Sequence, residues 1–361
     1  MVKIPAQDFK TLKPGVEYAE VTKEISGKSV NMNLLRLDLT KVCLDVHHAM
    51  DAAIGTEKTS SIATRHGAFA AINAGFFRLD TSIWAGDAAG LLMSRSKLLS
   101  EPTAGRTALV LYNGPETTEA AFYRFEYRGF LIFGKNERIS ILGANRERNA
   151  EDLVLFTPEF HRTTLTSGVG LEVKFVKDKV VEIGNLVGNS NIPENGFVLS
   201  ASGKYRAELL KLKRNQRVVL ASGPTPVEGE PVPLPISFVQ DAVAGVPRLI
   251  KNGRVDITWE QEKTSKSFVE TRHPRTAVAK LKDGKFLMIT VDGRSEASGG
   301  IGLPDLAEYL LSLGATDAMN LDGGGSTTMF VDGKVVNKPS DKEGERKVSD
   351  AILVTLRTKK K

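Results

Sequence analysis

Between Phe286 and Asp322 the sequence spells strand, loop, helix and strand, and no other part of the chain restricts the fold as tightly. Phe286-Leu287-Met288-Ile289-Thr290-Val291 is a short apolar run bounded by turn residues, the pattern of a strand buried on both faces. Ser295 to Gly302 follows as a loop carrying Glu296 and three glycines. Pro304 stands at a first-turn position, where its missing N–H is no loss. Leu306, Tyr309, Leu310 and Leu313 recur at i, i+3, i+4 and i+7 as one helical stripe, and Gly314 closes the helix as a left-handed cap. The strand after it ends at Asn320-Leu321-Asp322. Two strands joined by a crossover helix are normally parallel, so their C-terminal ends share one sheet edge, where open α/β sheets bind ligands. Asp292-Gly293-Arg294 and Asp322-Gly323-Gly324-Gly325 are therefore predicted to be neighbours.

The second of these ends is chemically unusual. Three consecutive glycines cost backbone entropy and are carried where a side chain would obstruct. Without Cβ atoms, successive N–H groups can curl into a nest that suits an anion. Ser326, Thr327 and Thr328 add hydroxyls, and Asp322 puts a carboxylate at the mouth. A glycine-rich turn capped by an aspartate would use the same residues. Arg294, brought in from the neighbouring loop, favours the anion site.

Elsewhere the signals are those of strands. Asn33 to Leu39 and Cys43 to His47 alternate with period two. Thr59-Ser60-Ser61 offers hydroxyl caps to a short helix through Arg65. Ala68 to Phe77 begins as a small-residue strand packed on both faces and ends in Asn73, Gly75 and two aromatics; Asn73 there reads as a turn former or as a ligand-facing amide. Residues 94–239 hold many short β-rich runs with Gly, Asn and Pro between them, which predicts a β-rich subdomain. Arg206 to Leu212 is its best helix candidate, and Pro224 to Pro235 reads as an extended connector. Asn252-Gly253, Asp283-Gly284 and Asp332-Gly333 mark hairpin turns.

The formal charge is +6, but Lys359-Lys360-Lys361 supply half of it, and the other basic residues are mixed with acids rather than with aromatics. This argues against a nucleic-acid partner. No apolar run approaches the length of a membrane span. The one cysteine, Cys43, excludes an internal disulfide and sits in an apolar context that suits a buried hydrophobe better than a nucleophile. Met1-Val2-Lys3 is too short and polar to be a signal peptide, which leaves a cytoplasmic protein or one whose leader has been removed.

Familiar hydrolytic signatures are missing: the 323–327 stretch lacks the lysine of a P-loop, and neither a G-x-S-x-G elbow nor an H-E-x-x-H is present. His47, His48, His66, His161 and His273 form no spaced metal set. What remains is carboxylates (Asp292, Glu296, Asp322), arginines (Arg275, Arg294), amides (Asn73, Asn320) and glycine N–H groups. Arginine forks and N–H groups hold phosphate, whereas carboxylates act as base, nucleophile or stabiliser of an oxocarbenium-like sugar. A substrate that is sugar on one side and phosphate on the other would need both.

Four segments in register carry a resemblance: Ala71-Ile72-Asn73-Ala74-Gly75-Phe76-Phe77, His273-Pro274-Arg275-Thr276-Ala277-Val278, Asp292-Gly293-Arg294-Ser295, and Asn320 to Met329. Together the chain resembles the phosphodiester glycosidase family from roughly Pro14 to Leu356. Asp241 to Leu249 looks like the family's glycine-proline segment, with Ala244 and Val246 standing where more glycine is expected. The resemblance implies hydrolysis of an α-linked sugar-1-phosphodiester to free sugar and a phosphomonoester. It implies a catalytic role for Asp292, Asp322, Glu296 and Arg275, with a solvated loop glutamate as the other reading of Glu296. It places Asn73, Phe77, His273, Arg294, Asn320, Gly323, Gly324, Gly325, Ser326 and Thr327 on the substrate. No cofactor is demanded; hard oxygens at Asp292 and Asp322 would suit Mg²⁺ or Ca²⁺. Ordinary glycoside hydrolysis on the same fold, and a non-catalytic polysaccharide-binding module, are the other readings. The expected fold is α+β: a mixed β-sheet with flanking helices, the strand–helix–strand unit carrying the site, a discontinuous catalytic domain over 14–93 and 240–357, and 94–239 as the β-rich insertion. The expected location is extracytoplasmic, typical of the family.

Overall fold

The computed structural model describes residues 8–103, 105–229 and 239–357, so Met1-Val2-Lys3, the 230–235 part of the proline-rich stretch and the lysines at 359–361 lie outside the described residues. An eight-stranded sheet runs, edge to edge, through Lys10–Lys13, Val16–Ile25, Lys28–Leu37, Phe286–Val291, Arg275–Leu281, Ala315–Asn320, Arg248–Lys251 and Arg254–Val255. The Phe286–Val291 and Ala315–Asn320 strands do run parallel, as the crossover requires, but the Arg275–Leu281 strand lies between them and is antiparallel to both. The cause is local. The turn at Asp283-Gly284 pairs 275–281 with 286–291 as a hairpin, so the helix has to carry the chain past an occupied position. Each neighbouring pair in this sheet is antiparallel, where a mixed sheet was expected.

Side chains alternate across the sheet with period two. Val278, Met288 and Met319 face one way, into a core shared with a second sheet built from Lys334–Val335, Met329–Val331, Ala70–Asn73, Asp350–Leu356 and Val42–His48. Ala277, Leu287, Ile289 and Ala318 face the other way, under Leu306, Tyr309 and Leu310 of the Leu303–Ser312 helix. That helix carries proline in its first turn, and Gly314 beyond it takes a φ of +90°. All four residues of Ala70–Asn73 are buried, matching a strand covered on both faces.

The middle of the chain is β-rich as read. Gly143–Ala201 supplies a five-stranded sheet with its own core around Leu153, Phe175 and Leu199. Thr107–Asn113 instead pairs with Asp241–Ala244 and contributes Leu109 and Leu111 to the central core. Pro224 and Pro226 lie in a strand, Val218–Pro226, where a connector was expected. This strand pairs along Thr118–Phe133, with Tyr127 opposite Pro224 and Phe125 opposite Pro226. Prolines two apart point their missing N–H to the same side, which an edge strand tolerates.

The Thr59–Arg65 helix forms, but its hydroxyls lie inside it. Lys58 is the N-cap and gives no side-chain cap; the remote Glu345 carboxylate accepts from the Ser60 N–H (2.8 Å) and hydroxyl (2.6 Å) instead. Arg206–Leu209 is a single short turn of helix. Burial pushes the Cys43 thiol up, in keeping with a non-nucleophilic role. Among the described residues no helix is long and apolar enough to cross a membrane.

Candidate active site

Pro274, just ahead of the Arg275–Leu281 strand, is the fixed point between the two acidic loops. A Cβ on Gly293 would stand 2.9 Å from the Pro274 nitrogen, and one on Gly323 would stand 2.7 Å from its carbonyl oxygen. Both glycines are thus demanded by backbone packed against backbone. The Gly324 N–H donates to the Pro274 carbonyl (2.9 Å), and the Gly323 N–H donates to Asp322 Oδ1 (2.9 Å). Two of the three expected nest donors are therefore already bonded within the protein, and Gly324–Ser326 forms one turn of 3₁₀-helix. The third glycine makes room for an ion pair: a Cβ on Gly325 would collide with Arg346 and Asp341, which bond to each other at 2.7 and 3.0 Å.

Asp322 is part-exposed at this edge. Loss of water raises its carboxyl to about 6, with nearby Asp350 adding to the rise; Ser326, the Gly323 N–H and the Arg346 charge oppose it. The Ser326 hydroxyl is close enough to act on that charge, although it stops short of hydrogen-bond geometry. The Asp322 main chain is held by its N–H to Ala74 O (2.9 Å) and by Asn73 Nδ2 on its carbonyl (2.7 Å).

Asp292 is buried, and its carboxyl is also raised, chiefly by burial. Its Oδ1 accepts from the Lys338 N–H (3.1 Å) and from Asn337 Nδ2 (3.4 Å). Its main chain is fixed on both sides, by N–H to Asn31 O and by the Ser298 hydroxyl on its carbonyl. Asn337 ties Asp292 to the end of the glycine loop, since its Nδ2 also donates to Thr327 O at 3.0 Å. Their main charge neighbours differ: Glu20 and Lys338 for Asp292, Arg346 and Asp350 for Asp322.

Positive charge collects beside them. Arg294 is exposed, has a φ of +59°, and lays its guanidinium over Gly324. Arg275 is only 2% exposed, and carbonyls hold its guanidinium: Phe268 O and Thr271 O at 2.7 Å, Ile301 O at 3.2 Å. It also stacks on the Phe268 ring. Among the described residues it has no carboxylate partner, and burial with the Arg294 charge lowers it to about 10, still charged at neutral pH. His273, half-buried, is lowered by burial and by both arginines, and so is neutral. A buried cation without a counter-ion is costly to keep, which marks this corner as receptive to an anion.

The remaining candidates divide. Asn73 is fully buried and serves as an internal staple: Nδ2 goes to Asp322 O, while Oδ1 accepts from the Thr276 hydroxyl (2.8 Å) and the Thr328 N–H (3.0 Å). Asn320 is equally buried; its Nδ2 donates to Val246 O (2.7 Å) and its Oδ1 has no partner. Phe77 is buried, as are Ser326, Thr327 and Thr328, whose hydroxyl oxygens are unpartnered. Glu296 is exposed on its loop, away from the hydrogen bonds that fix Asp292 and Asp322. Sequence reasoning missed Asn337, Arg346, Asp341 and Asp350, because it stopped at Met329. The Asp332-Gly333 hairpin was the available signal, since a tight turn there returns Asn337 beside Met329, whose N–H it binds at 2.7 Å.

The sheet edge thus gathers two carboxylates and two arginines, and the sequence comparisons show the family. Residues 170–355, over half of the chain, match the family described as phosphodiester glycosidase, and the chain belongs to that family. It is similar to mouse N-acetylglucosamine-1-phosphodiester alpha-N-acetylglucosaminidase, with 30% identity over 161 residues, 42% of this chain and 30% of that protein. The human enzyme of the same name is 38% identical over 114 residues, 29% of this chain and 22% of that protein. The chain thus matches less than a third of the length of these curated relatives. Among solved structures, a hypothetical protein from Synechocystis superposes with a TM-score of 0.82 at 22% identity, covering 98% of this chain and 64% of that one. The zebrafish enzyme's catalytic domain, auto-inhibited by its pro-peptide, gives 0.50 at 17% identity, covering 96% and 86%. At these identities the two structures speak to fold alone.

Proposed function

We propose that this chain hydrolyses an α-linked sugar-1-phosphodiester, releasing free sugar and a phosphomonoester. The observation that carries the reading is the Arg294 guanidinium over Gly324, beside Asp322 with its carboxyl raised to about 6. A phosphomonoester is already a weak base, so its departure needs charge neutralisation more than a proton. Arg294 offers a planar fork for that charge, and the uncompensated Arg275 adds to the field. A positioned donor of this kind contributes on the order of 10²–10³ in rate. Asp322, poised near neutrality, takes the proton of the attacking water as general base, or attacks the sugar itself as nucleophile; general-base catalysis contributes about 10²–10⁴. Asp292, the second carboxylate, stabilises the positive charge that develops on the sugar. In the general-base route one water is consumed: its oxygen bonds the anomeric carbon, the anomeric C–O bond breaks with its electron pair leaving on the phosphate, and the water's proton passes to Asp322 and on to solvent. With this function we also place the protein outside the cytoplasm, the location the family resemblance implies.

The test compares a sugar-1-phosphodiester with the corresponding p-nitrophenyl glycoside. Asp322→Asn and Arg294→Ala are expected to lose roughly 10²-fold or more on the phosphodiester, with ¹⁸O from labelled water found in the sugar. Turnover unchanged in both variants would remove the site. Cleavage of the plain glycoside alone would support the ordinary glycosidase, and binding without product the polysaccharide-binding module.

A further inference from the structure

We propose that His47, Asp51 and His66 bind a first-row divalent transition cation, at residues that take no part in the Asp292 and Asp322 hydrogen bonds. The spacing of these residues gives no metal signature, because three different elements deliver them: the Val42–His48 strand, the Ala49–Asp51 turn, and the position capping the end of the Thr59–Arg65 helix. Folded, one ligand atom from each lies within 4.8 Å of the others. Asp51 Oδ1 is 3.7 Å from His47 Nδ1 and 3.0 Å from His66 Nε2. Ligand atoms held tetrahedrally at zinc's ordinary bond lengths stand about 3.3 Å apart, and the two separations bracket that value.

Two observations point to a ligand rather than to chance proximity. His47 Nδ1 is buried and has no hydrogen-bond partner, although it faces Asp51. Second, Asp51 is presented by strained backbone: Met50 and Asp51 both take left-handed φ values, 58° and 53°, which non-glycine residues rarely adopt. The Glu57 carboxylate holds this turn through the Met50 N–H at 2.8 Å.

The surrounding charges fit a monodentate carboxylate. Arg65 bonds Asp51 through Oδ2 and is itself paired with Glu57, which leaves Oδ1 for the cation. Arg65 Nη1 also touches His66 Nε2 (3.0 Å), a contact the cation would replace. Arg95 lies 3.9 Å from Asp51 Oδ1, and Asp45 sits near His66 on the other side. The two rings lie face to face, 3.7 Å apart and tilted by 32°, so metal binding would require His66 to turn its nitrogen towards the ion. Imidazole donors select zinc, nickel or copper over calcium and magnesium, which prefer oxygen. The ion would tie the end of the helix to the strand as a structural clamp.

Zinc is the probe. EDTA-treated protein, dialysed and titrated with Zn²⁺ by calorimetry, should take up a single equivalent and gain thermal stability. His47→Ala and the more exposed His66→Gln should each weaken zinc by roughly 10-fold or more with unchanged far-ultraviolet circular dichroism, whereas His161→Ala should bind as the parent does. Absence of zinc uptake by the parent overturns the proposal. So does uptake that persists in His66→Gln, which keeps the test decisive if His47→Ala fails to fold.

Discussion

Arg294 lies across Gly324: a Cβ added at residue 324 would stand 3.0 Å from the guanidinium Nη2, and Gly324 holds a φ of +61°. Each residue therefore constrains the other. Gly324→Ala strains the left-handed backbone by about 1–2 kcal/mol and pushes aside the flexible end of Arg294. The fold survives this, but the phosphate loses its positioned fork. We expect kcat/KM to fall by roughly 10²-fold, as for a misplacement of about 1 Å, with Tm only a few degrees lower. Steady-state kinetics beside a thermal melt would separate the two effects.

Asp322 sets the pH response. Its folded carboxyl, at about 6, lies above the ordinary 3.8, so the folded state holds the proton more tightly than the unfolded chain does. Stability from this group is full below the ordinary value and is lost as pH rises through about 6. Asp322→Asn cannot ionise, so it should resist urea better than the parent at neutral pH and converge with it in acid. Activity should instead rise through the same interval. Arg346→Met, which removes a lowering charge, should move that limb to higher pH; Asp350→Asn, which removes a raising charge, should move it lower. A limb that stays fixed in both variants would assign the titration to another group.

Asn337 positions Asp292 by donating to its Oδ1 while bridging Thr327 and Met329. Asn337→Ala removes a donor that favours the ionised carboxylate, so the Asp292 carboxyl should rise further. The expected signature is a lower kcat with KM little changed and a pH–rate profile displaced upward. A uniform loss at every pH would make the residue merely structural.

Asn73 should behave as a stability residue. Its amide makes three hydrogen bonds inside the protein, joining two strands to the glycine loop. Asn73→Ala leaves those groups buried and unpaired, at about 1–3 kcal/mol for an orphaned group, and should lower the urea midpoint clearly. An unchanged midpoint with a raised KM would return Asn73 to the substrate.

The strand–helix–strand unit was legible because each boundary carries local chemistry: Pro304 at the first turn, the Leu306–Leu313 stripe, and Gly314 at φ +90°. The shared edge of Asp292 and Asp322 followed from the parallel direction that a crossover helix gives the two strands. The strand between them did not, because it lies outside the unit, and its pairing with both strands leaves no trace in their local sequence. Asn73 was misjudged for a related reason. Its partners, Thr276, Asp322 and Thr328, are some 200 residues or more away in sequence, and nothing in its neighbourhood announces them. Asp350, the first residue of the last strand, resembles any strand-end aspartate until the fold sets it beside Asp322. The His47–His66 contact was hidden the same way, since ring stacking across two elements leaves no periodic trace.

Because Arg275–Leu281 pairs with a strand on each side, the loops bearing Asp292 and Asp322 start two sheet rungs apart, roughly 9–10 Å. Main-chain pairing sets that width, so side-chain exchanges at the rim leave it unchanged. A relative selecting a bulkier or slimmer sugar would have to do so by trading loops above a rigid floor.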